Sequence, residues 1–296
     1  MRLGISLCSA HPGGSGVEAT AWVLERARAA ASTGLSCLTI GDHHSTGPVP
    51  YVQNVPMLGR LLAEWDERPA GCLFLVPAWN PVLMAEQIGT LASIADGPFI
   101  VQTGLGGRDQ VDAMGLDVPH RGHRLEETIR TVQALLAGEE VGGARIAPTP
   151  PREVEWWIGA HAETALDRAA RLGTGWYADA GIDAEVARTQ MDQYLDACER
   201  HGREPGTLAI RKDVFVGDDG AAATTTGDGL IEAGYRGGQP RGAVAYGDVE
   251  QVSEQLATFA DLGFTDVIIR TMMGIPQPDA VRSIELCGRV AELLAR

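Results

Sequence analysis

The amino-acid sequence predicts a (β/α)8 barrel, an α/β fold in which eight parallel strands are each followed by a helix. Short apolar runs alternate with longer amphipathic segments along the 296 residues. Most of these runs are apolar without interruption, as in parallel strands that are buried on both faces. Eight runs are found, which favours a closed barrel over an open sheet. The predicted strands are 3–8, 36–41, 71–77, 98–104, 154–160, 174–178, 207–216 and 265–270.

The segments between the strands carry helix start signals. Asn80 and Pro81 are typical of an N-cap and a first helical residue. Asp248 and Gln251 have the spacing of a capping box. Apolar residues at helical spacing also predict helices at 17–33 and from Arg121 to residue 137.

Two stretches between these elements are predicted to be insertions. Residues 139–153 are rich in Gly and Pro and join the fourth helix to the fifth strand. Residues 217–247 are rich in Gly, Thr and Asp and contain few large apolar side chains. The second stretch can be interpreted as a linker or disordered segment, or as a lid near the site. Without a repeat or a domain boundary, we expect one barrel domain over 1–296.

Composition restricts the classes of partner. A net charge of -15 makes nucleic acid and anionic membranes poor partners, because both need a basic surface. The five cysteines are odd in number and contain no CxxC pair, so we expect reduced thiols. No apolar run has the length of a membrane span. Together these features predict a cytoplasmic protein.

The residues that follow the predicted strands are the candidates for chemistry, because a barrel of this type forms its site at the carboxyl ends of its strands. Many of them are titratable or glycine-rich, which a purely structural rim would not require. The strand ends are Cys8-Ser9, Asp42-His43-His44, Pro77-Ala78-Trp79, Thr103-Gly104, Gly159-Ala160-His161, Ala178-Asp179, Val216-Gly217 and Arg270-Thr271.

The densest titratable group is Asp42-His43-His44. An imidazole can act as acid or base near neutral pH, and a flanking carboxylate can fix its tautomer. In the structural alternative, Asp42 caps a turn and both imidazoles are solvated. The strand-end position favours catalysis for His43, whereas alternation along an extended chain turns His44 the other way.

Two glycine-containing turns are candidate anion sites. Gly159-Ala160-His161 precedes a predicted helix at 162–172, whose N-terminus could approach a phosphate, and Thr164 could add a hydroxyl group. Thr103-Gly104 begins a second such turn, with Arg108 as an anion partner. Small residues are common at β-to-α turns, so each pattern alone is weak evidence.

Two other kinds of site are excluded by spacing. The first strand lacks the HxH pair of metal-dependent barrel hydrolases, so no metal site is predicted. The chain also lacks the GxSxG motif of a serine nucleophile elbow.

Over nearly all of its length the sequence resembles the luciferase-like monooxygenase family. The acid followed by two histidines after the second strand is similar to the family's motif at that point, and four further segments follow in the family's order. The segments that carry the resemblance are 42–44, 75–91, 103–127, 157–176 and 246–250.

The resemblance implies that reduced FMN, or the 5-deazaflavin coenzyme F420, binds at the carboxyl face of the barrel. In the family's arrangement His43 and Asp42 would lie beside the reactive ring. The ring would be supported by Pro77, Ala78 and Trp79, and the phosphate would be held by Gly159, Ala160 and His161. The sequence departs from the family's second Gly and Ser at Ala160 and His161.

The resemblance therefore favours a reduced-flavin monooxygenase that acts on a small organic substrate. It further implies a separate flavin reductase as partner and a homodimer. Two alternatives stay open. One is F420-dependent hydride transfer, although the acid that deazaflavin-dependent sugar-phosphate dehydrogenases carry after the fourth strand is absent from 105–107. The other is a flavin-binding protein without turnover.

Overall fold

The computed structural model describes residues 1–8, 10–117 and 119–296 of the chain. Ser9, at the predicted end of the first strand, lies outside the described residues. The strands in this part of the chain are β1 (Arg2–Leu7), β2 (Leu38–Ile40), β3 (Ala70–Leu75), β4 (Phe99–Gly104), β5 (Val154–Gly159), β6 (Gly175–Ala178), β7 (Thr207–Val216), β8 (Val244–Gly247) and β9 (Asp266–Thr271).

Eight of these strands form a closed parallel barrel. The order is β1-β2-β3-β4-β5-β6-β7-β9, and β9 pairs with β1 to close the sheet. The predicted (β/α)8 barrel is confirmed. The remaining strand, β8, was not predicted; it pairs with residues 213–216 at the carboxyl end of β7.

Helices follow the strands and surround the barrel. They are α1 (Gly16–Ala31), α2 (Asn54–Leu61), α3 (Pro81–Ile94), α4 (Arg108–Ala113), α5 (Arg121–Leu136), α6 (Glu163–Leu172), α7 (Ala184–Arg200), α8 (Gly220–Glu232), α9 (Val249–Ala260) and α10 (Gln277–Leu294). Within the described ranges, none of these helices combines the length and the apolar character needed to cross a membrane.

The predicted helix caps are confirmed. The Asn80 side chain accepts hydrogen bonds from the backbone N–H groups of Val82 and Leu83, at 2.9 and 3.3 Å. At α9 the Asp248 side chain accepts from the Gln251 backbone at 2.8 Å, and the Gln251 side chain accepts from the Asp248 backbone at 2.9 Å. Each cap satisfies N–H groups that have no partner within the helix.

Side chains alternate between two cores along the barrel strands. One set fills the barrel interior and includes Cys37, Ile100, Trp157, Tyr177 and Ile268. The residues that alternate with them along each strand point outward and pack between the strands and the surrounding helices. The polar groups at the carboxyl ends of the strands therefore stand above an apolar barrel interior.

The stretch 217–247 contains α8 and β8 instead of a linker without secondary structure. Small residues allow α8 to approach β8 closely, since Gly227 lies against the ring of Tyr246. The Tyr246 hydroxyl donates to the Asp228 carboxylate at 2.6 Å. The low content of large apolar residues thus reflects close helix–strand packing. Residues 139–153 contain no helix or strand, only a bridge between Val141 and Ala144.

This packing predicts opposite effects for two alanine substitutions in α8. In Gly227→Ala the new Cβ would overlap the Tyr246 ring, and we expect a loss of roughly 1–3 kcal/mol in the free energy of unfolding. In Gly229→Ala the new Cβ meets nothing within 4 Å, so we expect a gain of roughly 0.5–1 kcal/mol from lower backbone entropy in the unfolded chain. Urea unfolding measures both. Equal effects would show that α8 does not pack on β8.

Candidate functional site

A cavity of about 370 Å³ opens at the carboxyl ends of strands β3 to β7. Its wall contains some of the predicted site residues, which come from the ends of β4 and β5: Thr103, Gly104, Gly159, Ala160 and His161. It also contains Asp179, one of the predicted strand ends, and residues that the sequence analysis did not select: Leu73, Leu105, Tyr177 and Arg211. Its volume is in the usual range for small-molecule sites.

The turn after β5 is held in place by its neighbours. The Gly159 N–H donates to the Thr103 hydroxyl at 3.2 Å, and the Ala160 carbonyl accepts from the Trp176 indole at 3.1 Å. The His161 Nδ1 lies 2.9 Å from the Gln190 amide nitrogen. These contacts leave the backbone of the turn fixed beside the cavity.

The helix after this turn offers backbone N–H groups to an anion. It begins at Glu163, one residue later than predicted, and Ala162 occupies the N-cap position without a side-chain hydrogen bond. Because no side chain caps it, its first N–H groups are available to a ligand. Thr164 is exposed in the first turn of this helix, outside the cavity wall.

The turn after β4 contributes backbone to the same wall, but Arg108 does not. Gly106 adopts a φ of 75°, a left-handed conformation that favours glycine. The Gly106 carbonyl accepts from Arg121 at 3.3 Å. Arg108 begins α4, is exposed and lies outside the cavity wall.

Asp42 is buried and joins the ends of β2 and β3. Its Oδ2 accepts from the Leu75 backbone N–H and from the Trp79 indole, both at 2.8 Å. Its Oδ1 lies 3.2 Å from the His44 Nε2, at ion-pair distance but without hydrogen-bond alignment. The expectation that this carboxylate fixes the His43 tautomer is therefore wrong, because both of its oxygens face other groups.

His43 is instead held by Gln110 and Tyr51. Its Nε2 lies 2.6 Å from the Gln110 amide nitrogen, and its Nδ1 lies 3.2 Å from the Asp42 carbonyl. Since the amide nitrogen donates, Nε2 accepts and the ring proton resides on Nδ1. The ring stacks on Tyr51 with 4.6 Å between centroids. His43 is half-buried, not solvated, and stands at the same barrel end as the cavity without lining it.

The pKa values of the two adjacent histidines shift in opposite directions. Burial lowers the pKa of His43, and the positive charge of Arg236 contributes to the same direction. The contact with the Asp42 carboxylate raises the pKa of His44 against the effect of burial. At neutral pH a larger fraction of His44 than of His43 is therefore protonated.

The residues after β3 form a short 3₁₀ turn over Val76–Ala78. Pro77 is buried, and its carbonyl accepts from Arg124 at 2.8 Å. Trp79 packs edge-on against Phe74, with 5.0 Å between ring centroids. Like His43, the predicted ring-supporting residues Pro77, Ala78 and Trp79 lie outside the cavity wall.

Sequence reasoning missed Arg211 because it lies inside a strand. It is followed two residues later by Asp213, and both face the barrel interior with Ala209. Two charged residues at alternate positions in a buried strand are unusual, and this pattern was the available signal. The structure also brings Arg270, from the end of β9, into contact with Asp213.

These features fit a flavin. Apolar side chains such as Leu73 and Leu105 offer a surface to a ring system, and the uncapped start of α6 suits a phosphate. Across 1–8, 10–117 and 119–296, no three His, Cys, Asp or Glu side chains are grouped as metal ligands.

The opposite pKa shifts can be measured by NMR titration of the imidazole protons. We expect His43 to titrate below the ordinary value of 6.5 and His44 above it. Since the folded pKa of His44 is raised, its contact with Asp42 stabilises the fold below about pH 6.5 and loses this contribution as the pH rises through the folded pKa. In Asp42→Asn the amide oxygen can still accept from Leu75 and Trp79, but the pKa of His44 should fall. An unchanged His44 pKa would contradict the assigned pair.

Sequence comparisons relate this chain to proteins with two different cofactors. It is 28% identical over 182 residues to the F420-dependent glucose-6-phosphate dehydrogenase of Microbacterium testaceum, covering 55% of this chain and 54% of that protein. It is 24% identical over 260 residues to the FMNH2-dependent dimethylsulfone monooxygenase of Pseudomonas fluorescens, covering 79% and 69%. The chain thus spans about half the length of the first of these relatives.

Solved structures support the fold. A monooxygenase from Streptomyces bottropensis superimposes with a TM-score of 0.83 at 18% identity, covering 100% of this chain and 99% of that one. The oxygenating constituent of 3,6-diketocamphane monooxygenase from Pseudomonas putida, in complex with FMN, gives 0.82 at 16% identity, covering 99% and 98%.

The family assignment rests on the sequence itself. The pattern of the luciferase-like monooxygenases matches residues 1–238, which include the histidine pair, both glycine-containing turns and strands β1 to β7. The chain therefore belongs to the luciferase-like monooxygenase family.

Proposed function

We propose that this protein is an oxidoreductase that uses reduced FMN to oxygenate a small organic substrate. The observation that carries the proposal is the family match over residues 1–238 combined with a cavity at the carboxyl end of the barrel. When bound, the flavin would supply electrons to oxygen, and the protein would supply orientation, a protected pocket and proton transfer.

The proposed place for the cofactor phosphate is the start of α6. Gly159, Ala160 and His161 line the cavity, and the N–H groups that follow Ala162 have no side-chain cap. A helix N-terminus favours an anion through these N–H groups and through its dipole. The flavin ring would then lie over Leu73, Leu105 and the glycine turn after β4.

His43 is the residue that we propose for proton transfer. Its half-buried ring is oriented by Gln110 and Tyr51, and its lowered pKa keeps it neutral near pH 7. Its Nε2 would accept a proton when a ligand displaces the Gln110 amide. Asp42 and His44 would be positioning residues, since Asp42 holds the Trp79 side chain and the backbone at the end of β3 in place.

F420-dependent hydride transfer is the second candidate, because the relative from Microbacterium testaceum uses that cofactor according to its name. A reduced-flavin monooxygenase would also need a separate flavin reductase, which we include in the proposal together with a homodimer. A cytoplasmic location would suit the five buried cysteines, which are free thiols in the structure.

The central experiment is an anaerobic titration of the protein with reduced FMN and, separately, with reduced F420. Each complex that forms is then mixed with oxygen or with an oxidised electron acceptor, and the loss of the reduced cofactor is followed by absorbance. Tighter binding of FMN and accelerated loss of the reduced form in the presence of oxygen and substrate would support the monooxygenase. Tight binding of F420 alone would favour hydride transfer, and FMN binding without any turnover would favour a binding protein.

The phosphate site can be tested at Ala162 with a matched pair of variants. Ser and Asp are both good N-caps, so Ala162→Ser and Ala162→Asp should both stabilise α6. Only the aspartate places a negative charge beside the phosphate, so we expect FMN to bind at least about tenfold more weakly to Ala162→Asp than to Ala162→Ser. Riboflavin, which has no phosphate, should bind both variants equally. Equal FMN affinities would place the phosphate elsewhere.

The role of His43 can be tested in a single turnover. We expect His43→Ala and His43→Asn to bind FMN normally but to react about 100-fold more slowly, the usual contribution of a positioned proton-transfer group. His43→Asn keeps a polar group next to Gln110, so it separates proton transfer from packing. His201→Ala is the control, because His201 contacts Asp167 at the surface. Wild-type rates in both His43 variants would remove this residue from the mechanism.

A further inference from the structure

A buried ionic cluster occupies the barrel interior beside the cavity. At its centre is Asp213, whose side chain is 1% exposed. Its carboxylate accepts two hydrogen bonds from Arg270, at 3.1 and 2.8 Å, one from the Arg236 guanidinium at 2.9 Å and one from the Tyr235 hydroxyl at 2.8 Å. Arg211 lies near the same carboxylate, with 4.0 Å from its Nε to the Asp213 Oδ1.

This cluster carries an excess of positive charge. Three guanidinium groups surround one carboxylate, so two positive charges remain without a counter-charge inside it. Burial would raise the pKa of Asp213, but Arg270, Arg211 and Arg236 outweigh burial and hold this pKa below its ordinary range. Asp213 is therefore ionised and already occupied by its four hydrogen bonds.

Arg211 is the member of the cluster that faces the cavity. It lines the cavity wall, and 22% of its side chain is exposed there. Its Nε is buried and finds no hydrogen-bond partner in the described part of the chain. Because Nε faces Asp213, a ligand oxygen would be bound by the other N–H groups of the guanidinium, and such a charge-assisted hydrogen bond is stronger than one between neutral groups.

The backbone of Arg236 adds an independent observation. Arg236 has a φ of 47° and a ψ of 40°, a left-handed conformation that is unfavourable for a residue with a side chain. Its guanidinium reaches Asp213 from the segment between α8 and β8. Strained residues of this kind are concentrated at functional sites.

The remaining wall limits the chemistry of a ligand. Most of it is apolar, and beside the leucines proposed to face the flavin ring it includes Tyr177, Ala178 and Ala180. Asp179 is the acidic side chain in the wall, and it accepts a hydrogen bond from the Gly181 backbone at 2.7 Å. A ligand that fits both features has an apolar body and one anionic group.

We propose that Arg211 binds the acid group of the substrate, so that the substrate is a small apolar molecule with one carboxylate or other oxyanion. This inference rests on the proposed function, since it names the substrate class of that site. Arg211 projects from within β7, whereas the turn proposed for the cofactor phosphate lies beyond the end of β5. The two anion sites are therefore on different strands and at different depths.

The test measures binding to the protein without cofactor, by calorimetry at constant ionic strength. The probes are benzoate, benzenesulfonate and the neutral analogue benzamide. We expect both acids to bind wild type more tightly than benzamide does, and to bind Arg211→Met roughly tenfold to a hundredfold more weakly. Arg211→Lys should retain part of the affinity, because it keeps the charge but loses the forked geometry. Arg145→Met is the charge-matched control, because Arg145 pairs with Glu140 at the surface, and it should bind like wild type.

A parallel titration with FMN and riboflavin separates the substrate from the cofactor. If folded Arg211→Met loses acid binding but keeps its affinity for FMN, the proposal is supported. This result would support it even if the protein showed no turnover with a flavin. Weakened FMN or riboflavin binding with unchanged benzoate binding would assign Arg211 to the cofactor and overturn it. Equal acid affinities in wild type and Arg211→Met would also overturn it, as would the failure of wild type to bind either acid at millimolar concentration. If Arg211→Met fails to fold, Arg211→Lys decides: acid binding as tight as in wild type would overturn the proposal.

Discussion

Pairing between the first and last strands closes the sheet, and this closure decides which side chains share the barrel interior. Leu3 and Ile5 of β1 lie opposite Val267 and Ile269 of β9. Once the sheet is closed, every second residue of each strand points into one confined space. An ionisable group in that space has to find an opposite charge there, because burying it alone is costly.

The interior is accordingly divided into an apolar middle and two polar ends. Near the amino ends of the strands, Arg2 donates to Asp266 at 2.8 Å. The middle is filled by aromatic and aliphatic side chains such as Trp157 and Ile268. At the carboxyl ends, Asp213 collects three positive side chains and a tyrosine hydroxyl. The charged groups that face the cavity thus rest on a rigid apolar layer.

Two buried acids have a similar role at this barrel end. Asp42 binds the backbone and the indole at the end of β3, and Asp213 binds residues from β9 and from the segment before β8. Both oxygens of Asp213 are occupied by these contacts, whereas the second oxygen of Asp42 faces His44. Arg211, two residues before Asp213, lines the cavity, whereas His43, next to Asp42, is held by Gln110 and Tyr51. A carboxylate next to a functional side chain therefore serves here to fix the surrounding chain.

The sequence by itself determined the barrel, the helix caps and the location of the strand ends, because these depend on local periodicity and on residues that are close in the chain. It also carried the family's motifs. Only the tertiary structure decided that the Asp42 carboxylate contacts His44 and not His43, since that choice depends on how the chain turns after β2. The packing of Gly227 on Tyr246 and the gathering of Arg211, Arg236 and Arg270 around Asp213 join residues that are distant in sequence. The second of these depends on the pairing of β7 with β9, which brings alternate side chains of the two strands into the same space.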